Sequence, residues 1–146
     1  MPAFDASSLA TRIDNGAGPL TWSHTCTGSN RLLVAAISPD QSNIVTGVTY
    51  AGASMTKQVE KDDPNRGTME LWTLLAPATG VNTISVSFAG LHYIGGAGAS
   101  YTDVSQSGLP DATASQDITG SDSTSITTSI TTVASNCWIV CGTRGT

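Results

Sequence analysis

The sequence is poor in charge, and above all in positive charge. Of its 146 residues only 12% are charged, with 6 Lys and Arg against 11 Asp and Glu. Nucleic-acid-binding proteins cluster Lys and Arg to displace counterions from phosphate. The basic residues here are scattered along the chain, so nucleic acid is not an expected partner. The enrichment in Ala, Glu, Lys, Leu and Arg that is typical of coiled coils is missing as well.

Long apolar runs are also missing. No run approaches the ~20 residues that span a bilayer, so no membrane partner is predicted. Residues 1–12 lack the basic region and the apolar region of a classical secretion signal. The length favours a single domain that can bury a core.

Cysteine is scarce, and its number is odd. Cys137 and Cys141 lie four positions apart in one predicted strand, which separates their Cα atoms by about 13 Å. A disulfide needs less than about 7 Å, so these two cannot form one, whereas Cys26 can pair with either if the strands are neighbours. Without a secretion signal, three buried free thiols are the favoured prediction. A zinc site would need four protein ligands. The sequence near His24 does not complete such a set, so no metal or cofactor is predicted.

Motifs that carry catalysis are absent. The sequence has no G-x-S-x-G elbow, no phosphate-binding P-loop, no HExxH and no EF-hand loop. Of the two histidines, His24 lies in the apolar register of a predicted strand and is expected to be buried. His92 lies in a predicted turn and is expected to be exposed. These observations predict that the chain is not an enzyme.

Much of the chain's charge lies in one stretch, residues 60–67 (EKDDPNRG). Glu60, Asp62 and Asp63, together with Glu70, offer carboxylate oxygens of the kind that Ca²⁺ prefers. Basic residues lie among them and partly neutralise them. A solvated charged loop is therefore favoured over a calcium site.

What the sequence has in abundance is Thr and Ser, with 21 and 18 residues, together with Gly, Val and Ile. Such a composition favours strands and turns. Residues 20–26 alternate between apolar and polar, and residues 31–37 (RLLVAAI) form a continuous apolar run that predicts a central strand. Further strands are predicted at 47–50, 54–59, 68–76, 82–88, 93–104, 123–133 and 137–141. About nine strands and no helix predict an all-β fold, an antiparallel β-sandwich.

Three parts of the chain carry more specific expectations. Four small residues at 95–98 (GGAG) predict a central strand that another element approaches closely. Residues 1–14, with Phe4, Leu9 and Ile13, are either an arm whose three apolar side chains form an interface or a first edge strand, and residues 15–146 form the single β-sandwich domain. No strand follows 137–141, so either a partner chain completes the sandwich or the domain continues beyond residue 146. An edge left open there would be prone to association.

The aromatic residues suggest a second kind of partner. Trp22 and Trp138 lie in apolar registers and are expected in the core. Trp72 is the best candidate for an exposed or interfacial ring, and Tyr93 is the next. Exposed rings of this kind stack on sugars, so Trp72 and Tyr93 are the predicted contacts if the chain binds a glycan.

Several segments also resemble a known group of proteins. They are residues 21–25 (TWSHT), 29–34 (SNRLLV), 48–52 (VTYAG) with 55–57 (MTK), and 70–86. Over roughly residues 18–142 the chain resembles small β-sandwich domains, jelly-roll or Ig-like, encoded among the structural genes of tailed bacteriophages and in environmental bacterial proteins. The resemblance implies a virion component such as a capsid decoration (cement) protein, head fibre or tail-associated module. It also implies synthesis in the host cytoplasm, contacts with the major capsid subunit or other virion subunits, and a homo-oligomer, often a trimer. It carries over no catalytic or ligand-binding residue.

Three functions are thus weighed on the sequence alone. The first is a structural virion protein that binds and stabilises the shell. The second is a carbohydrate-binding or adhesive β-sandwich on a virion or a bacterial surface. The third is a hydrolase, which would require His and carboxylate side chains to converge in one cleft. The first is favoured, since the chain has neither a secretion signal nor an active-site motif.

Overall fold

The prediction of an all-β fold is confirmed. The computed structural model describes residues 1–63, 67–116 and 125–144, and this part of the chain contains ten antiparallel strands and no helix. It therefore holds no helix that is long and apolar enough to cross a membrane. The strands are β1 (Ala3–Leu9), β2 (Ile13–Gly16), β3 (Leu20–Cys26), β4 (Leu32–Pro39), β5 (Val45–Tyr50), β6 (Ala53–Ser54), β7 (Thr56–Asp63), β8 (Gly67–Leu75), β9 (Gly80–Phe88) and β10 (His92–Thr102).

The strands form two sheets that pack face to face as a β-sandwich. The six-stranded sheet has the order β1-β10-β4-β8-β7, with β2 also paired to β10, and the four-stranded sheet has the order β3-β9-β5-β6. The apolar run at 31–37 supplies β4, which lies between β10 and β8 as expected of a central strand. The alternating run at 20–26 supplies β3, with Trp22 opposite Ile84 of β9.

The core lies between the two inner faces. Leu33 and Ile37 of β4 belong to one core cluster with Ile84 and Val86 of β9, and all four are fully buried. The buried Tyr50 hydroxyl lies within hydrogen-bonding distance of two carbonyl oxygens, His24 O at 3.2 Å and Gly80 O at 3.1 Å, which ties β5 to its own sheet. Ile, Val and Leu side chains and the rings of Trp22, Tyr50 and Trp72 make up most of this core.

The small residues in β10 mark a close approach, as predicted. A Cβ atom on Gly96 would lie 2.8 Å from Cη2 of Trp22, and one on Gly98 would lie 2.9 Å from Cδ1 of Ile84. Both distances are shorter than real Cβ contacts. The two glycines therefore let the rings and methyl groups of the opposite sheet sit directly on the backbone of β10.

The N-terminal residues take part in the sandwich. β1 pairs with β10 over its whole length, with a bulge between Phe4 and Ala6. β2 pairs with the start of β10, where Ile13 lies opposite Ile94. In this chain residues 1–14 thus form edge strands of the six-stranded sheet.

Three predictions of secondary structure are wrong. The charged stretch at 60–67 is not a loop throughout, because β7 continues to Asp63 and β8 begins at Gly67; residues 64–66 lie outside the described residues. The strand predicted at 137–141 is not formed, and neither is the described part of the strand predicted at 123–133. Both segments have strand-forming sequences, but no edge of either sheet pairs with them, and a strand needs a partner as well as a propensity.

Candidate docking surface

The two sheets present chemically different outer faces. The outer face of the four-stranded sheet carries hydroxyl groups, with Thr21 opposite Ser85 and Ser23 opposite Thr83 in adjacent strands. The outer face of the six-stranded sheet carries small apolar side chains, with Ala36 opposite Ala97 and Val34 opposite Ala99. The sandwich therefore has one water-compatible face and one apolar face.

The apolar face contains a groove of about 580 Å³, which we call the outer groove. It is lined by residues of β1, β4, β8, β10 and the C-terminal segment: Ser7, Ser8, Leu9, Val34, Ala36, Leu71, Ala97, Gly98, Ala99, Tyr101, Val140 and Cys141. None of these side chains is charged, so another apolar surface can be seated here without desolvating a charge.

Residues 137–144 cross this face without regular secondary structure, and we call them the C-terminal segment. The expectation of a core position for Trp138 is wrong, since this residue is 48% exposed. Its ring lies edge-on to Tyr101 with ring centroids 5.7 Å apart. The backbone of Gly142 packs on β8, where a Cβ atom would lie 3.1 Å from Leu71 Cδ2. The Arg144 guanidinium donates hydrogen bonds to Ser38 Oγ and to the Pro39 carbonyl. The segment covers part of the apolar face without joining the sheet.

Two of the three predicted interface residues are exposed beside the outer groove. Leu9 is 81% exposed, and Phe4 is exposed with its ring edge-on to Tyr101 at 6.1 Å. Ile13 is half-buried and packs against the core. Phe4, Tyr101 and Trp138 thus form an aromatic row from β1 to the C-terminal segment.

The expectation of an exposed ring at Trp72 is wrong, since that side chain is only 7% exposed. Its Nε1 donates a 2.7 Å hydrogen bond to the buried Glu70, whose other oxygen accepts one of 3.3 Å from Lys57 Nζ. Burial raises the pKa of Glu70, although the hydrogen bonds from Trp72 and Lys57 oppose it. Burial lowers the pKa of Lys57, but its bonds to Glu60 and Glu70 outweigh this and raise it. Two of the four carboxylates weighed for a calcium site, those of Glu60 and Glu70, are thus paired with Lys57, and the cluster is an ion-pair network.

Tyr93, the other predicted stacking residue, is 45% exposed. The Arg12 guanidinium lies over its ring, 5.6 Å from the centroid. One face of the ring is therefore already covered and is not open to a sugar. Beside it, His92 Nδ1 lies 2.9 Å from Asp40 Oδ1, and the histidine that was expected to be exposed is instead half-buried and within hydrogen-bonding distance of a carboxylate. Trp72 and Tyr93 lie on different strands and make no contact with one another that would form a stacking platform.

A serine–histidine pair joins the two sheets. Ser8 Oγ of β1 lies 2.7 Å from Nδ1 of His24 in β3, and it accepts a 3.0 Å hydrogen bond from Trp22 Nε1. His24 is 2% exposed, and burial lowers its pKa even though the carboxylate of Asp5 opposes this. A buried histidine was expected here; its bond to β1 could not be read from the spacing of the residues.

This pair lacks the third group of a catalytic triad. In a triad, the second ring nitrogen of the histidine donates to a carboxylate, but His24 Nε2 is buried with no hydrogen-bond partner among the described residues. Asp5 instead accepts hydrogen bonds from Thr27 and from Ser100 Oγ. These bonds lower the pKa of Asp5 although burial alone would raise it. The cluster therefore fastens β1 to β3.

The cysteines are free, but only one of them is buried. Cys26 lies in the core, and burial raises the pKa of its thiol. Cys137 and Cys141 are exposed in the C-terminal segment, so the expectation of three buried thiols is wrong for these two. Within the residues that the structure describes, no three His, Cys, Asp or Glu side chains are grouped so that they could hold a metal ion.

Comparison of the chain with protein-family models, with curated proteins and with solved structures finds no match. The apolar face of the six-stranded sheet and the aromatic row beside it are thus the features of the molecule that best indicate a function.

Proposed function

We propose that this protein is a structural component of a virus particle, a capsid decoration (cement) protein that binds and stabilises the shell. The observation that carries the proposal is the contrast between the two outer faces. One sheet carries an uncharged groove lined by small and apolar residues such as Ala, Gly and Leu. The other sheet carries hydroxyl groups on its outer face. The apolar side of the molecule is therefore suited to packing against the surface of a shell subunit.

The composition supports packing into an array. With few Lys and Arg side chains, the surface loses little side-chain entropy when it is covered. The small side chains of Ala97 and Ala99 let a partner approach the backbone of β10 closely. Large apolar patches of this kind mark interaction sites in proteins that otherwise have polar surfaces.

The experiment measures binding of the purified protein to virus shells that lack it, by co-sedimentation. The shells come from the virus whose genome carries this sequence. Ala99→Lys places a charge in the outer groove, and Ser85→Lys places the same charge at an equally half-buried position on the opposite face. We expect the wild type and Ser85→Lys to bind and Ala99→Lys to lose binding, with circular dichroism confirming that all three are folded. If the wild type does not sediment with the shells, the proposal fails.

A further inference from the structure

The C-terminal segment is held to the six-stranded sheet near its two ends. Near its start, the Trp138 ring lies edge-on to Tyr101 of β10. At its end, the Arg144 guanidinium donates hydrogen bonds to Ser38 Oγ and to the Pro39 carbonyl of β4. Tyr101 and Pro39 lie at opposite ends of the paired strands β10 and β4. The segment therefore spans the apolar face from one end to the other.

Little holds the segment between these two anchors. In the part of the chain that the structure describes, its backbone makes no hydrogen bond to either sheet. Val140 and Gly142 are half-buried, and the other six residues of 137–144 are exposed. An element with few buried contacts and no backbone hydrogen bonds to the rest of the fold opens more readily than a core strand does. The segment can therefore leave the face while the two sheets stay intact.

The segment divides one apolar face into two grooves. The outer groove lies on one side of it, and a second groove of about 380 Å³ lies on the other; Ala36, Ala97 and Cys141 line both. Ala36 of β4 lies opposite Ala97 of β10 and opposite Leu71 of β8, and Gly142 packs on Leu71. The segment thus crosses the face at this row of three residues, and its departure would join the two grooves into one.

The face beneath the segment is uncharged on both sides. Like the outer groove, the second groove is lined by small, apolar or hydroxyl-bearing residues: Ala36, Ser38, Met69, Gly95, Gly96, Ala97, Cys141, Gly142 and Thr143. An apolar face that is open to water favours association with other apolar surfaces. A segment of the same molecule that lies across the middle of the face limits how much of it a partner can contact.

From this arrangement we infer that the C-terminal segment is a movable cover that controls access to the apolar face of the six-stranded sheet. In the closed state Trp138 and Arg144 hold the segment across the face. In the open state both contacts are released, and the two grooves form one continuous surface on β4, β8 and β10. A partner that binds only the open face shifts the equilibrium toward it. The opening itself is independent of the proposed function, whereas a shell subunit as the partner rests on it.

A cysteine beneath the segment measures the opening without any partner. Ala36→Cys is made in a protein whose exposed native thiols are removed by Cys137→Ser and Cys141→Ser, and the rate of its modification by a maleimide follows the open population. Arg144→Gln should raise this rate about fivefold or more, because the charge-assisted hydrogen bonds of the end anchor are lost. Arg12→Gln is the matched control: it removes an exposed arginine whose ion pair is with Asp14, and the rate should not change.

A second control places the thiol on the opposite face of the molecule. Ser85 is half-buried, as Ala36 is, and Arg144→Gln should not change the modification rate of Ser85→Cys. If Arg144→Gln leaves the rate at position 36 unchanged, or raises it equally at position 85, the segment is not a movable cover and the inference is overturned.

A disulfide that holds the segment closed tests its effect on binding. Met69 Cγ, the atom that a cysteine sulfur replaces, lies 3.5 Å from a Cβ atom built on Gly142. Met69→Cys and Gly142→Cys therefore bring two sulfurs within reach of a disulfide. Both are made in the protein without exposed native thiols, and that parent protein, treated with the same oxidant and reductant, is the control.

Binding of the oxidised and the reduced protein to virus shells is compared by the co-sedimentation assay described above. The oxidised protein should bind about tenfold more weakly or worse, whereas the parent should bind equally under both conditions. Equal binding of the oxidised and reduced forms would contradict control of access by the segment. If neither the reduced protein nor the wild type binds shells, the proposed function fails, and the modification rates at position 36 decide the inference by themselves.

Discussion

Removal of the Ser8 hydroxyl tests how β1 is fastened to the sandwich. In Ser8→Ala, Trp22 Nε1 and His24 Nδ1 both lose their hydrogen-bond partner. Both side chains are buried, and His24 Nε2 already has no partner among the described residues. The whole imidazole ring would then be buried without a hydrogen bond, beside an unpaired indole N–H.

The expected loss follows from these two groups. A buried donor or acceptor left without a partner costs about 1–3 kcal/mol. Ser8 itself is half-buried, so water can partly replace the hydroxyl, and the loss is expected at about 2–4 kcal/mol. That is a large part of the 5–15 kcal/mol that stabilises a typical domain.

Urea denaturation followed by tryptophan fluorescence measures the free energy of unfolding, with the slope m checked for constancy. Ser7→Ala is the matched control, since Ser7 is the preceding residue of β1 and is exposed; its loss should be below about 0.5 kcal/mol. If Ser8→Ala is no less stable than Ser7→Ala, the hydroxyl does not hold β1 to β3, and the reasoning is refuted.

Three further predictions test the core. Gly96→Ala should lower the free energy of unfolding by about 1–3 kcal/mol, because its methyl group would press on Trp22. Gly95→Ala is the control and should cause no such loss, because nothing lies within 4 Å of its Cβ. Equal losses in the two variants would contradict the close approach of Trp22 to β10. Because burial lowers the pKa of His24, the unfolded chain takes up the proton first as the pH falls below 6.5. The free energy of unfolding should therefore fall more steeply below pH 6.5 in the wild type than in His24→Gln. Urea denaturation at several pH values measures this fall, and an equal fall in the two proteins would refute the reasoning. A maleimide reagent should modify two thiols in the native protein and Cys26 only after unfolding; three fast-reacting thiols would contradict the burial of Cys26.

Sequence patterns predict the strands of this sandwich well where alternation coincides with burial. β3 has the bounds that its alternation gives, and the small residues of β10 mark a real close approach. In both cases the pattern reflects a local requirement. In β3 every second side chain must enter the core, and in β10 a glycine without a side chain leaves space for an aromatic ring to contact the backbone.

The expected exposure of the Trp72 ring is wrong because the pattern of β8 points to the wrong inner face. Met69 and Leu71 suggest an inner face on the odd-numbered residues, yet Thr68, Glu70 and Trp72 are the buried ones. Both faces of this sheet are apolar, so polarity alone does not show which one is inside. The buried Glu70 depends on Lys57, thirteen residues earlier along the chain, and spacing does not reveal such a pair.

The C-terminal segment shows a second limit of sequence patterns. Residues 137–141 have the composition and alternation of a strand, but a strand forms only when an edge with the right geometry is within reach. The two outer faces are likewise a property of the assembled sheets, because Ala36, Ala97 and Val34 come together from two strands that are distant in sequence. The docking surface could therefore not be located before the fold was known.

The protein composition of purified virus particles tests the central claim most directly. The particles would be those of a virus whose genome contains this sequence, and quantitative mass spectrometry would measure each component relative to the main shell subunit. We predict that the chain is present at a fixed ratio to that subunit. Its absence from intact, infectious particles would contradict a structural role in the virion.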